Sequence, residues 1–164
     1  MRHRLPILAL LIVAGGILQG DEKPKDNPVE KFVISQAEKE VLDLTNQERT
    51  KEKLTPLKPH PLLFKAARDH TQNMAKQEKL DHVLDGVKPD ERTAKVGYKS
   101  GWIGENIAAG QGFLPREVIK TWMESEGHRK NILTPEYVYI GIGAVRNAKG
   151  EYYYTQVFGR APRD

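Results

Sequence analysis

The 164-residue sequence contains no cysteine. That removes disulfides, a thiol nucleophile, cysteine-ligated zinc, a redox pair and a lipid-modified cysteine in one stroke. A small domain without disulfides has to be held together by core packing alone. Excess charge is scarce as well. Basic residues outnumber acidic ones by 26 to 22, and two of the cations, Arg2 and Arg4, lie in the N-terminal leader. Nucleic-acid binders concentrate far more positive charge, so neither DNA nor RNA is an expected partner. There is no long hydrophobic run: the uncharged stretch Leu5–Leu18 covers 14 residues, short of the roughly 20 that a helical bilayer crossing needs. The chain also lacks a His-Glu-x-x-His helix, a Gly-x-Ser-x-Gly elbow, a phosphate-binding loop and an internal repeat. Gly141-Ile142-Gly143 falls in a strand pattern with no helix after it. It is no dinucleotide fingerprint, and its glycines suit close approach of another backbone to a sheet.

The first twenty residues pair a cationic start (Arg2, His3, Arg4) with that short apolar run, the pattern of an export signal. A retained N-terminal anchor is the alternative, because Leu18 and Gly20 make a poor cleavage site. Residues 21–34 are charged and proline-bearing and read as a flexible leader. A single domain follows over 35–160, with a short tail at 161–164. Exported, the chain belongs outside the cytoplasm, either released or periplasmic at the cell envelope, with no stable membrane span in the mature form.

Within the domain, Ser35-Gln36-Ala37-Glu38 fits a capping box that starts a helix running to about Lys53. Pro61 suits the first turn of a second helix, which extends to about Lys79 and delivers His82 just beyond its end. A short helix is expected from Pro89 to Val96, with Gly97 as its stop. Another begins near Pro115, pairs Val118 with Trp122 and Ile119 with Met123, and is expected to end at Gly127. The period then changes to two. Val138, Ile140, Ile142 and Ala144 alternate, Asn147–Gly150 supplies turn residues, and Tyr152–Val157 forms the returning strand of a hairpin. Helices first and a hairpin last give an α+β domain.

The polar groups able to carry chemistry sit at element ends. His82 follows a helix, Glu105-Asn106 lies in a glycine-rich stretch read as a loop, and His128 follows the Trp122 helix directly. Two imidazoles and a carboxylate can converge as a metal site or as acid–base partners, or each can hydrogen-bond locally. His60, between two prolines, is expected to be exposed. His70 reads as a histidine at the core edge, and Trp102 and Trp122 as core or cleft-wall aromatics. Gln156 either bonds near a cleft or serves inside the sheet.

His82, Gly104-Glu105-Asn106-Ile107, Trp122-Met123-Glu124-Ser125-Glu126-Gly127-His128-Arg129-Lys130-Asn131-Ile132-Leu133, Tyr139–Gly143 and Tyr154–Phe158 follow one another in an order that resembles the CAP superfamily. These are the cysteine-rich secretory, antigen 5 and pathogenesis-related 1 proteins, or SCP domains. Leu44–Arg49 and Ala67–Ala75 fit the same pattern, and the resemblance covers about residues 37–159. The cysteine-free form with Gly-His-Arg-x-Asn-Ile-Leu is similar to the bacterial branch. The resemblance implies a three-layer α-β-α sandwich with a central antiparallel sheet. It also implies a cleft of two histidines and two acids that in some relatives binds zinc or another divalent ion. His82, Glu105 and His128 match three of the four positions. The fourth holds Ser125, flanked by Glu124 and Glu126. Ser is a poor zinc ligand, so a full set requires Glu126 to swing in or water to complete the shell.

On this reading His82 and His128 are the metal candidates. Glu105 orients a cleft histidine or holds the loop through backbone amides, Asn106 is a hydrogen bonder of the same loop, and Glu126 and Gln156 complete the list of cleft residues. No residue is assigned a catalytic role. The expected function is a secreted, non-catalytic module binding a ligand or partner, such as a lipid or cell-wall component. The alternative is a metal-assisted hydrolase of peptide or cell-wall polymer, with Glu105 or Glu126 moving the proton. The sequence leaves the oligomeric state open.

Overall fold

The computed structural model describes residues 32–100 and 102–161. The expected export signal, the part of the expected leader before Phe32, residue 101 and the last three residues lie outside the described residues. The order of elements is α1 (Gln36–Lys51), β1 (Lys58–Pro59), α2 (Pro61–Gln77), α3 (Pro89–Lys95), β2 (Ile103–Gln111), α4 (Pro115–Glu124), α5 (Glu126–Leu133), β3 (Tyr139–Arg146) and β4 (Glu151–Gly159).

Helix starts follow the local chemistry. Ser35 and Glu38 cap α1 reciprocally, at 2.8 and 3.3 Å, which satisfies two otherwise orphaned amides. Pro61, Pro89 and Pro115 each occupy the first turn of a helix, where the missing N–H costs nothing. Gly97 ends α3 with φ +91. Helices α1 and α2 stop two residues before the expected Lys53 and Lys79, and in both cases the chain turns through a left-handed residue soon after, Lys53 and Glu78.

The sheet runs β1-β3-β4-β2. Its three long strands are antiparallel, and β1 adds two residues in parallel to β3. Alternation along β4 sorts the two layers. Tyr154 and Phe158 join Val41, Ile119, Trp122 and Ile132 from α1, α4 and α5. Tyr153 packs with Met74, Ala75 and Leu84, while Val157 meets Leu63, Ala67 and Tyr98. Helix α2 lies directly on β3, because a Cβ on Gly141 would collide with the Leu63 carbonyl and the Phe64 amide. One on Gly143 would strike Thr71 and the Ala67 carbonyl. The domain is a three-layer α-β-α sandwich.

Three local expectations are corrected. Glu105 and Asn106 lie within strand β2, not in a loop. The stretch is rich in small residues because it is crowded: a side chain at Gly104 would strike the Tyr137 ring, and one at Gly110 would press on Phe113. Gly127 does not end a helix. The break falls at Ser125, which is extended (φ −100, ψ 122), and Gly127 and His128 both lie in the first turn of α5. His60 is not exposed either. It is half-buried with edge-on contacts to Tyr98 and Tyr139 at 4.9 and 5.1 Å, and its Nδ1 is sealed from solvent.

Candidate functional site

Glu105 sits mid-strand with its side chain 2% exposed. A buried carboxylate needs compensating partners, and here both oxygens have them. Oε2 accepts from Arg92 Nη2 at 2.6 Å, and Oε1 lies 2.8 Å from His82 Nδ1. The same Arg92 donates through Nη1 to the carbonyls of His82 and Val87, at 2.9 and 2.8 Å. One guanidinium from α3 thus ties the segment after α2 to the sheet and presents His82, whose side chain remains 47% exposed. Leu80 and Val83, close to His82 in sequence, are both exposed.

His70 approaches the same carboxylate from α2, with Nε2 3.9 Å from Glu105 Oε1 and without a hydrogen-bond partner. Burial pulls its pKa below the ordinary value, and the Glu105 charge only partly opposes this. His70 is therefore neutral near pH 7.

On the other face of β2, a chain of amides fixes His128. Asn106, fully buried, donates to the His128 carbonyl and to Gln156 Oε1, each at 3.1 Å. Gln156 donates in turn to Thr45 Oγ1 at 2.7 Å, so its amide links β4 both to α1 and to Asn106. Asn131, one turn after His128 on α5, donates to Asn106 Oδ1 at 2.9 Å and to the Glu105 carbonyl at 3.1 Å. Trp122 donates to the Ile107 carbonyl at 3.2 Å. Glu105 and Ile107 are two apart, so these carbonyls face the same side of the terminal strand β2. Side chains from α5 and α4 take the place of a further strand there.

The His128 ring lies 6.5 Å from the Trp122 ring, with Nδ1 buried and unpartnered. Burial lowers its pKa, and the charge of nearby His82 adds to the effect. Glu126 begins α5 exposed to solvent, and among the described residues it makes no hydrogen bond or ion pair with His82, Glu105 or His128. Trp102 is not a buried wall. It is half exposed, with the Arg160 guanidinium 3.4 Å above its ring centre.

Two imidazoles are available to a cation, His82 through its remaining ring nitrogen and His128. Among the described residues no group of three or more His, Asp or Glu converges as a ligand set. Ser125 stands where an acid would be needed, and both Glu105 oxygens are engaged. The described residues do not fit a closed four-ligand zinc centre.

Arg92, Asn131 and Arg49 escape a reading of the sequence as side-chain actors. Asn131 had a usable signal in its i, i+3 spacing from His128 on one helix face. Arg92 carried none, since an arginine in a helix is ordinarily solvated, and Arg49 carried only its place in the Leu44–Arg49 motif.

The sequence profile of the cysteine-rich secretory protein family (CAP) matches residues 42–158. The Bacillus subtilis protein YkwD is 41% identical over 128 residues, which cover 77% of this chain and 49% of YkwD. The chain therefore spans about half the length of that relative. An extracellular SCP-domain protein of Bacillus anthracis superposes with a TM-score of 0.68 at 28% identity, over 74% of this chain and 39% of that one. An outer surface protein of Borrelia burgdorferi shares the fold, with a TM-score of 0.72 at 19% identity, over 79% of this chain and 96% of its own. With the order of its motifs, its three layers and the profile match in agreement, this chain belongs to the cysteine-rich secretory protein (CAP) family.

Proposed function

We propose that this chain is a non-catalytic binding module of the cell exterior or envelope, which engages a lipid or cell-wall component through the cleft of His82, Glu105 and His128. The observation that carries the reading is the state of Glu105. Its carboxylate is buried and holds Arg92 and His82 at once, so it orients an imidazole and has no free oxygen for moving a substrate proton. The half-exposed His82 imidazole, held by Glu105, offers a polar group to a ligand in the same segment as the exposed Leu80 and Val83. A divalent cation is an optional occupant on this reading, held by His82 and His128 with water in the remaining positions. The exterior location is supported by the extracellular Bacillus anthracis relative. No helix among the described residues is long and apolar enough to cross a membrane.

The test compares the full chain with a His82→Ala/His128→Ala variant in cosedimentation with phospholipid vesicles and with insoluble cell-wall polymer. Soluble products are assayed in the same tubes. Binding to one of the two that falls at least tenfold in the variant, without products, is the expected result. Turnover abolished by His128→Ala overturns the proposal, as does binding that ignores both histidines. Zinc calorimetry on the same pair is expected to show one weak site, lost in the variant.

A further inference from the structure

At one end of the sheet the chain keeps an indole in the open. Strand β2 pairs Ile103 with Gly159 of β4, and one step further along the same register stand Trp102 and Arg160. Their side chains stack. The guanidinium lies 3.4 Å above the ring centre, a cation–π contact that covers one face of the indole. The Tyr137 hydroxyl, on a buried ring stacked against Phe158, lies beside the same indole. Trp102 is nevertheless half exposed, whereas Trp122 is fully buried. With Arg160 over one face, the exposed area belongs to the opposite face and the outer edge. The result is a flat apolar surface whose orientation is already set.

The charges around the ring select what can stack on it. Arg160 Nη2 lies 3.4 Å from Glu136 Oε1, so this cation is already neutralised and offers little to an anionic ligand. A cationic ligand would meet an indole that carries a guanidinium on its other face. A neutral ring suits the surface best. Glu136 is half exposed, and its Oε2 makes no hydrogen bond or ion pair among the described residues. That leaves one strong acceptor for a hydroxyl near the indole.

We infer that the open face of Trp102 is a glycan-binding platform, which takes one neutral pyranose ring of a polysaccharide. The weakly positive axial C–H bonds of the sugar lie on the negative face of the indole. A sugar hydroxyl donates to Glu136, a charge-assisted hydrogen bond. Arg160 and Tyr137 hold the indole in place, so stacking costs it little conformational freedom. His82, Glu105 and His128 contribute nothing to this platform, and it stands or falls independently of the cleft.

The test titrates the full chain with cellotriose and with tri-N-acetylchitotriose and reads saturation-transfer NMR under irradiation of the aromatic protons. Saturable transfer to the ring C–H protons of at least one sugar is expected, and the stronger response tells a glucan from an N-acetylated glycan. Trp102→Ala should weaken binding about fivefold or more, while Trp102→Phe, which keeps a flat ring, retains part of it. Glu136→Ala should weaken binding about threefold, with an unchanged circular dichroism spectrum and melting temperature. His82→Ala/His128→Ala should leave it unchanged. Absence of saturable transfer to both sugars overturns the proposal, as does binding that survives Trp102→Ala or is unchanged in Glu136→Ala. Loss of binding in the histidine variant also overturns it, by moving the sugar into the cleft and leaving the proposed function standing. A blue shift of the indole emission on phospholipid vesicles, with no response to either sugar, would make Trp102 a membrane contact and overturn it as well.

Discussion

At Glu38 two opposed effects act on one carboxylate. Burial favours its neutral form, yet Arg68 grips both oxygens at 2.7 Å and Ser35 adds its amide. Arg68 also lies 5.8 and 5.3 Å from the rings of Phe32 and Phe64. The partners win, and the pKa falls below its ordinary value of 4.5. A depressed carboxylate stabilises the fold above its unfolded pKa, and the contribution is lost as pH falls through the folded one. Glu38→Gln should therefore cost about 2 kcal/mol at pH 7, and the difference from wild type should shrink as pH drops below about 4. Thermal unfolding across pH 3–7 measures this. A constant difference would mean that the capping geometry matters and the charge does not.

Among the elements, the contact of α2 with β3 and the junction of α4 with α5 make contrasting demands on glycine. Gly141→Ala places a methyl group against the backbone of α2, so the helix must lift from the sheet. Destabilisation of about 2–3 kcal/mol is expected in urea unfolding. Gly127→Ala, at a helical position with nothing within 4 Å of the added carbon, should be neutral or stabilise by about 0.5 kcal/mol. If Gly127 instead ended a helix in a left-handed conformation, alanine there would destabilise. The same two regions show what could be read in advance. Capping residues, prolines and the period-two hairpin are local signals, and the helices and strands β3 and β4 follow from them. Strand β2 hides its period because Gly104 and Gly110 answer to crowding by Tyr137 and Phe113, residues whose packing is set only in the folded chain. His82 and His128 could be named from the motif order. Arg92, which positions His82 and neutralises Glu105, could not, because its burial is set by tertiary contacts alone.

Across the whole molecule, Arg49 does what a disulfide does elsewhere. It is fully buried, forms no ion pair among the described residues, and its guanidinium donates to the carbonyls of Thr55, Ile132, Thr134 and Tyr137. It thereby joins α1 to the end of α5 and to the entry of β3, more than 80 residues away in sequence. Arg49→Met should cost at least about 3 kcal/mol, because several carbonyls are left buried and unpaired. Lysine should not rescue it, since a single ammonium cannot span that fork. Urea midpoints of the two variants provide the check. With no thiol in the chain, dithiothreitol should leave every one of these midpoints in place.

The two rims of the sheet have a bearing on how copies of the protein meet. At one rim stands β1, two residues long, and one of them is Pro59, which brings no N–H. At the other, Asn131 and Trp122 already hold the outward carbonyls of Glu105 and Ile107 in the middle of β2. A neighbouring molecule seeking to lengthen the sheet finds a stub without donors on one side and acceptors already taken on the other. Concentrated in solution, such a domain resists fibrillar stacking.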